Sequence, residues 1–254
     1  MSVLAHWPAV AFVVGLIALW QIFVMIFQPS PLILPSPVDI GASLAQDWSI
    51  IVSAIPPTLN EIVQGFLLSV VFGVLLAMLI TWSRIFEITV YPALIAAQIV
   101  PKVALAPLFL VWFGYGITSK VAVAFTIAVF PIIINSVVGL RSTDPQLLVL
   151  ARSMGAGRWR TFRKITLINA LPAIFGGFEI AITLAVIGVV VGEFINADNG
   201  LGYLVLVANG NLDTPLVFAV LLVLTVLGSL LFALLVVIKW LVIPAPLRAT
   251  GQNR

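Results

Sequence analysis

Six apolar stretches constrain this chain more than any other feature of its sequence. A helix that crosses a lipid bilayer needs roughly 20 apolar residues. The stretches that meet this length lie at residues 8–27, 59–82, 88–113, 118–140, 172–195 and 214–240. Only 8% of the residues are charged, whereas a soluble domain carries about 25%. The sequence therefore predicts an all-α membrane protein with six transmembrane helices, the third of which contains prolines.

The positions of the cations predict the orientation of these helices. Cytoplasmic loops of membrane proteins are enriched in Lys and Arg. If the N-terminus lies in the cytoplasm, ten of the twelve Lys and Arg residues lie there too. The ten are Arg84, Arg141, Arg152, Arg158, Arg160, Arg163, Lys164, Lys239, Arg248 and Arg254. Of the other two, Lys102 falls inside the third stretch and Lys120 at an outer end, so we expect both termini in the cytoplasm.

The chain is expected to divide into an N-terminal transmembrane helix, residues 1–30, and a five-helix core, residues 31–254. The core carries a basic cytoplasmic segment at 141–172. Asp144 followed by Pro145 is a typical helix start. Gly155 supplies the left-handed residue that commonly ends a helix.

A second short amphipathic helix is expected after Gly157, with Trp159, Phe162 and Ile165 on one face. Two short helices at a sharp angle would form a knob that fits a groove on a soluble partner. The alternative is an interfacial hairpin whose arginines touch anionic lipid headgroups.

The basic segment resembles the EAA loop in permease subunits of ATP-binding-cassette importers. Four residues match the spacing of that motif: Ala151, Gly155, Ile165 and Leu167. Three others depart from it: Val149, Leu150 and Ile168 replace its glutamate, first alanine and proline. The stretches 34–37, 101–120 and 192–204 resemble the nitrate, sulfonate and taurine branch of these permeases.

The resemblance implies a type I importer permease in the bacterial cytoplasmic membrane, and not an enzyme. Two permease chains, expected to be a homodimer, would form the pore, with two ATPase subunits below and an extracytoplasmic solute-binding protein above. The implied ATPase-coupling residues are Ala151, Met154, Gly155, Ala156, Arg158 and Trp159. The chain has no G-x-x-x-x-G-K-[ST] phosphate loop, so ATP and Mg²⁺ are expected on the partners and no cofactor on this chain.

Polar residues at membrane depth are candidates for the translocation pathway, because burying them in lipid is costly. The candidates are Lys102, Gln98, Asn135 and Glu193. Gln98 and Asn135 could line the path or could bond between helices, which is the commoner role. Lys102 could attract an anionic solute, or it could reach an interface or pair with a carboxylate. Glu193 could act at an outer gate, or it could be a carboxylate at an aqueous boundary. Glu179 is expected to be neutral or paired with a cytoplasmic-side arginine.

The absence of cysteine and the single histidine, His6, argue against a metal site. Several glycines are expected where helices pack closely. They are Gly73, Gly139, Gly176, Gly177, Gly188, Gly192 and Gly228. The expected substrate is a small anionic or polar organic solute such as a sulfonate, nitrate or a vitamin precursor. The competing function is an ion-gradient-driven secondary transporter, which would be expected to show repeat symmetry and mid-membrane carboxylates.

Overall fold

The computed structural model describes residues 7–195 and 198–244, and every regular element in these two ranges is helical. His6, Arg248 and Arg254, which entered the sequence predictions, lie outside the described residues. The α-helices are α1 (Trp7–Phe27), α2 (Pro37–Gln46), α3 (Trp48–Trp82), α4 (Arg84–Ala97), α5 (Ala106–Phe113), α6 (Ile117–Arg141), α7 (Pro145–Ser153), α8 (Arg158–Thr161), α9 (Leu167–Ile195), α10 (Leu201–Gly210) and α11 (Thr214–Val242).

The predicted all-α membrane fold is confirmed. Five helices are long and apolar enough to cross a membrane: α1, α3, α6, the continuous helix formed by α8 and α9, and α11. The third predicted span is not a single helix. It consists of α4 and a second helical piece, Lys102–Phe113, bent by 89°. Pro101 lacks a backbone N–H and disfavours helical backbone at the residue before it, and it has an extended ψ of 91°.

Two spans begin earlier than predicted. The helix α3 starts at Trp48 rather than residue 59, and Pro56 and Pro57 lie inside it. The helix α9 starts at Leu167 rather than residue 172, and Pro172 lies inside it. Prolines are tolerated within membrane helices when neighbouring groups satisfy the freed carbonyls, so they are poor markers of where these helices begin.

One compact unit comprises Met1–Pro57 and Asn199–Val226. Within it, the rings of Trp20 in α1 and Phe218 in α11 lie 5.9 Å apart. The helix α2 begins with a capping box, in which the Ser36 hydroxyl and Asp39 each bond the other's backbone N–H. The Ser36 hydroxyl also donates to the Asp39 carboxylate at 2.7 Å, and this bond, together with that from the Ser36 backbone N–H, holds the pKa of the Asp39 carboxyl below its ordinary value.

The second unit comprises Thr58–Asp198 and Leu227–Arg254. Its main core lies where α6 packs against α9 through small residues such as Ala124, Ala128, Ala181 and Ala185, all fully buried. A Cβ atom added at Gly188 would lie 2.7 Å from the Ala124 Cα. The two backbones therefore approach as closely as glycine permits.

The other glycines divide into close and open positions. Added Cβ atoms at Gly73, Gly139, Gly177 and Gly192 would lie within 2.7–3.0 Å of another atom. The prediction for these four is confirmed. The prediction for Gly176 is wrong, since nothing lies within 4 Å of an added Cβ there. Gly228 is an intermediate case, with the nearest atom at 3.8 Å.

Candidate coupling segment and membrane-embedded polar sites

The helix α7 is fixed at both ends by the residues that the sequence predicted. The Asp144 carboxylate accepts the Gln146 backbone N–H at 2.8 Å, and Pro145 occupies the first turn. At the other end, Gly155 has a φ of +73°. The Ala156 N–H donates to the Ala151 carbonyl at 3.0 Å, which is typical of a helix ending in a left-handed glycine.

One face of α7 is apolar and exposed. Met154 is 78% exposed, and Leu147 and Leu150, at helical spacing from it, are also exposed. Ala151, one turn after Leu147, is only 7% exposed. Exposed apolar side chains on a helix of this kind indicate a surface for a partner.

The six predicted coupling residues therefore occupy different environments. Met154, Gly155 and Trp159 are exposed, whereas Ala151 is buried. Ala156 and Arg158 line a pocket on the inner side of the segment. The ring of Trp159 stacks on that of Trp82, at the end of α3, with centroids 5.9 Å apart.

The second short helix of the segment is not separate, as had been expected. The helix α8 continues through one wider turn, Phe162–Thr166, directly into α9. The backbone stays helical at Thr161, Phe162 and Leu167. No glycine or proline interrupts residues 158–171, so nothing breaks the helix there. The segment is one short helix, α7, joined at Gly155 to an extension of a membrane span.

Two of the predicted pathway residues lie together. Gln98 and Lys102 both line a cavity of about 340 Å³, together with the ring of Phe130. The Lys102 ammonium donates to the backbone carbonyl of Gln98 at 3.2 Å and lies 4.5 Å from the centre of the Phe130 ring. Across residues 7–195 and 198–244, Lys102 forms no ion pair, so pairing with a carboxylate in this part of the chain is excluded.

The other two pathway candidates lie elsewhere. The Asn135 amide donates to the Pro131 carbonyl of its own helix at 2.9 Å. Glu193 is completely buried and accepts the Thr58 hydroxyl at 2.6 Å. Its interpretation as a carboxylate at an aqueous boundary is therefore wrong, because other helices cover it.

A buried ion cluster near Glu193 was missed by the sequence predictions. The Lys120 side chain is 1% exposed, and its Nζ lies 3.0 Å from Glu61 Oε1 and 3.2 Å from Asp198 Oδ1. The Glu61 side chain is 3% exposed, whereas that of Asp198 is 66% exposed. Lys120 had been placed simply at an outer end. The available signal was a glutamate and a lysine, Glu61 and Lys120, within otherwise apolar helical stretches.

Glu179 was expected to be either neutral or paired with an arginine. It is paired, but its partner is not an arginine. Its carboxylate accepts the Lys239 ammonium from α11 at 2.8 Å. Both side chains are partly exposed, 22% for Glu179 and 34% for Lys239. The predicted arginine partner is wrong because α11 places Lys239 beside this position.

Comparison with known proteins identifies the family. Residues 69–242 match the family described as binding-protein-dependent transport system inner membrane component. The chain is 40% identical over 235 residues to the formylaminopyrimidine transport permease protein of Halalkalibacterium halodurans, covering 92% of this chain and 93% of that protein.

Two further relatives extend the comparison. The riboflavin transport system permease protein of Chloroflexus aurantiacus is 37% identical over 234 residues, covering 90% of this chain and 87% of that protein. A Bacillus subtilis permease protein named for aliphatic sulfonates is 30% identical over 220 residues, covering 85% of this chain and 79% of that protein. With its apolar helices, the chain thus belongs to the binding-protein-dependent transport family, as a multi-pass inner-membrane permease subunit of an ABC importer of the sulfonate-like branch and not an enzyme.

Proposed function

We propose that two copies of this chain form the pore of an ATP-driven importer and that each copy docks one ATPase subunit through α7. A solute-binding protein delivers the substrate at the outer side. The observation that carries the proposal is the exposed apolar face of α7, which is held in place by the caps at Asp144 and Gly155. Movement of the docked ATPases would be transmitted along α8 and α9, because these form one continuous helix into the membrane.

ATP and Mg²⁺ are assigned to the partner subunits. The sequence lacks a phosphate-binding loop, and no group of three or more acidic or histidine ligands suited to a metal occurs in residues 7–195 and 198–244. The chain itself then contributes the docking surface and the pathway, without a cofactor of its own.

The proposed substrate is a small anionic or polar organic solute. The cavity is lined by the cationic Lys102, the polar residue Gln98 and the aromatic Phe130. Its volume of about 340 Å³ suits a small solute. The relatives are named for formylaminopyrimidine, riboflavin and aliphatic sulfonates, which is compatible with a sulfonate, nitrate or vitamin-precursor class.

The docking proposal can be tested at Gly155. A β-branched residue is strained at a φ of +73°, while asparagine tolerates this region. An added Cβ at Gly155 meets no atom within 4 Å, so backbone strain and not a clash separates the two variants. We expect Gly155→Val to shift the end of α7 and to reduce ATPase retention about tenfold, and Gly155→Asn to retain it.

The measurement is purification of the tagged full-length chain from its native host in mild detergent, with quantification of the ATPase that accompanies it. The wild type should retain about one ATPase per permease chain. A wild-type chain that repeatedly purifies alone would contradict the proposal and favour a secondary transporter. Equal retention by the valine and asparagine variants would show that the geometry at Gly155 does not govern docking.

A further inference from the structure

A basic pocket lies on the inner side of α7, facing away from its exposed apolar surface. Its volume is about 430 Å³. Three arginines line it: Arg141 at the end of α6, Arg152 in α7 and Arg158 in α8. Trp82, at the end of α3, forms part of its wall. Three cations converging on one pocket indicate an anionic ligand.

The arginines of this pocket are not all neutralised by the protein. Arg141 pairs with Glu87 at 3.0 Å and faces the ring of Tyr91. Arg152 and Arg158 have no ion-pair partner within residues 7–195 and 198–244. Two guanidinium groups are thus available to a ligand.

A buried hydroxyl in the same pocket also lacks a partner. Thr143 is 7% exposed and lines the pocket, and its Oγ1 makes no hydrogen bond. Buried hydroxyls are almost always hydrogen-bonded. The unsatisfied Thr143 hydroxyl is an observation independent of the charges, and it too indicates a ligand with acceptor oxygens.

An apolar groove adjoins the basic pocket, between α3 and α9. It has a volume of about 410 Å³ and is lined only by apolar side chains of α3 and α9. Val74 of the groove lies one helical turn before Met78 of the pocket, and Leu167 of the groove directly follows Thr166 of the pocket. From Trp82 back to Val70, the α3 wall extends about 18 Å at 1.5 Å per residue, which is comparable with the length of an acyl chain.

We propose that the pocket and the groove together bind one anionic phospholipid. The headgroup phosphate would accept hydrogen bonds from Arg152, Arg158 and Thr143, and one acyl chain would lie in the groove towards the membrane interior. Basic pockets at the cytoplasmic ends of membrane helices suit such headgroups, and Trp82 is a residue type enriched at that depth. A free phosphate ion would bind in the pocket but would not occupy the adjoining apolar groove.

This lipid would contact the inner face of α7 while the outer face remains open to a protein. The inference concerns lipid binding by the permease chain alone, so it does not depend on ATPase docking. The sequence left two interpretations of the basic segment open, a knob that binds a protein partner and a hairpin that binds lipid. The lipid site assigns these two roles to opposite faces of α7.

The test is native mass spectrometry of the detergent-purified full-length chain, titrated with phosphatidylglycerol or phosphatidylcholine of identical acyl chains. Inorganic phosphate and glycerol 3-phosphate serve as soluble competitors. We expect one tightly bound phosphatidylglycerol, binding of phosphatidylcholine at least tenfold weaker, and no displacement by either soluble phosphate. Equal affinities for the two lipids would overturn the proposal, and full displacement by inorganic phosphate would assign the pocket to a free anion instead.

Matched double variants separate the pocket from general surface charge. Arg152→Gln with Arg158→Gln removes two cations that line the pocket, and we expect about 30-fold weaker binding of phosphatidylglycerol. Arg160→Gln with Arg163→Gln removes two cations from the same segment that do not line it, and we expect less than a threefold change. If both double variants lost the same affinity for phosphatidylglycerol, the effect would be due to general surface charge, and the proposed site would be wrong.

A third variant tests the groove. Leu75 is 54% exposed and lines it, so Leu75→Trp can fill the groove without entering the core. This variant should bind long-chain phosphatidylglycerol about tenfold more weakly and dihexanoyl phosphatidylglycerol unchanged. Unchanged binding of the long-chain lipid would show that no acyl chain occupies the groove.

Discussion

Two lysines, one at the end of a membrane helix and one within the bent third span, illustrate how differently one side chain can be used. Lys120 in α6 is 1% exposed and contacts the carboxylates of Glu61 and Asp198. Lys102 borders a cavity, contacts a carbonyl and an aromatic ring, and forms no ion pair in the described ranges. Lys120 is buried with its counter-ions and links helices, whereas Lys102 faces a cavity.

The helix α9 accounts for this difference. Near Lys120 it carries Gly192, whose added Cβ would lie 3.0 Å from the Lys120 Cα, so the helices enclose the ion cluster. Beside Lys102 the same helix carries Leu184 and Ile187, which line the cavity. Small residues close the space around one lysine, and larger ones leave an opening beside the other.

The largest effect is expected from Lys120→Met. This substitution leaves Glu61 buried without its cation, and breaking a buried ion pair by removing one partner costs about 3–5 kcal/mol. We expect a corresponding loss in the free energy of unfolding, or failure to recover folded chain from the membrane. Thermal unfolding of the detergent-purified chain, followed by its elution profile, measures this.

A second substitution distinguishes lost pairing from lost packing. Glu61→Gln added to Lys120→Met removes the uncompensated charge, so the double variant should recover part of the lost stability. If Lys120→Met proves as stable as the wild type, or if the double variant is less stable than the single one, Lys120 is not held by the pairing seen here.

A smaller effect is expected from Gly188→Ala, which tests the close packing of α6 against α9 one helical turn from Lys120. The added Cβ would lie 2.7 Å from the Ala124 Cα, a backbone atom that cannot rotate away. Overpacking of this kind costs about 1–3 kcal/mol, measured as a lower unfolding temperature. Gly176→Ala on the same helix is the control, since its added Cβ meets nothing within 4 Å and alanine favours helix. Equal unfolding temperatures for the two variants would argue against close approach at Gly188.

The cytoplasmic segment shows what the sequence can predict well. The cap at Asp144 and the left-handed Gly155 depend on neighbouring residues, so the limits of α7 follow from local chemistry. The continuation of α8 into α9 was missed because the expected second helix was delimited by its amphipathic pattern, whereas only a break in the backbone would end it. The length of each apolar stretch predicted the membrane spans because a helix must be about 20 apolar residues long to cross the bilayer.

The membrane-embedded sites show where prediction from sequence stops. Lys120 lies 59 residues from Glu61 and 78 residues from Asp198, and no local pattern indicates that these side chains meet. Lys102 was predicted as a pathway candidate because it is a polar residue at membrane depth, but the cavity beside it depends on Phe130, Leu184 and Ile187 from two other helices. Contacts of this kind depend on which helices pack together, and the sequence of a single helix does not specify its neighbours.

The smallest effect on stability is expected from Lys102→Gln. This variant is also the most direct test of the difference between Lys102 and Lys120. This variant keeps a polar group at the cavity but removes the charge, and a hydrogen bond to a charged group contributes about 1.5–3 kcal/mol. In proteoliposomes containing the importer, we expect uptake of an anionic solute to fall about tenfold, while Lys102→Arg retains most of it and the unfolding temperature stays unchanged. An alkanesulfonate, nitrate and riboflavin are the solutes to compare, because loss confined to the anions would assign the effect to charge. A fall in unfolding temperature as large as that of Lys120→Met would instead make Lys102 a structural lysine, and the distinction between the two would fail.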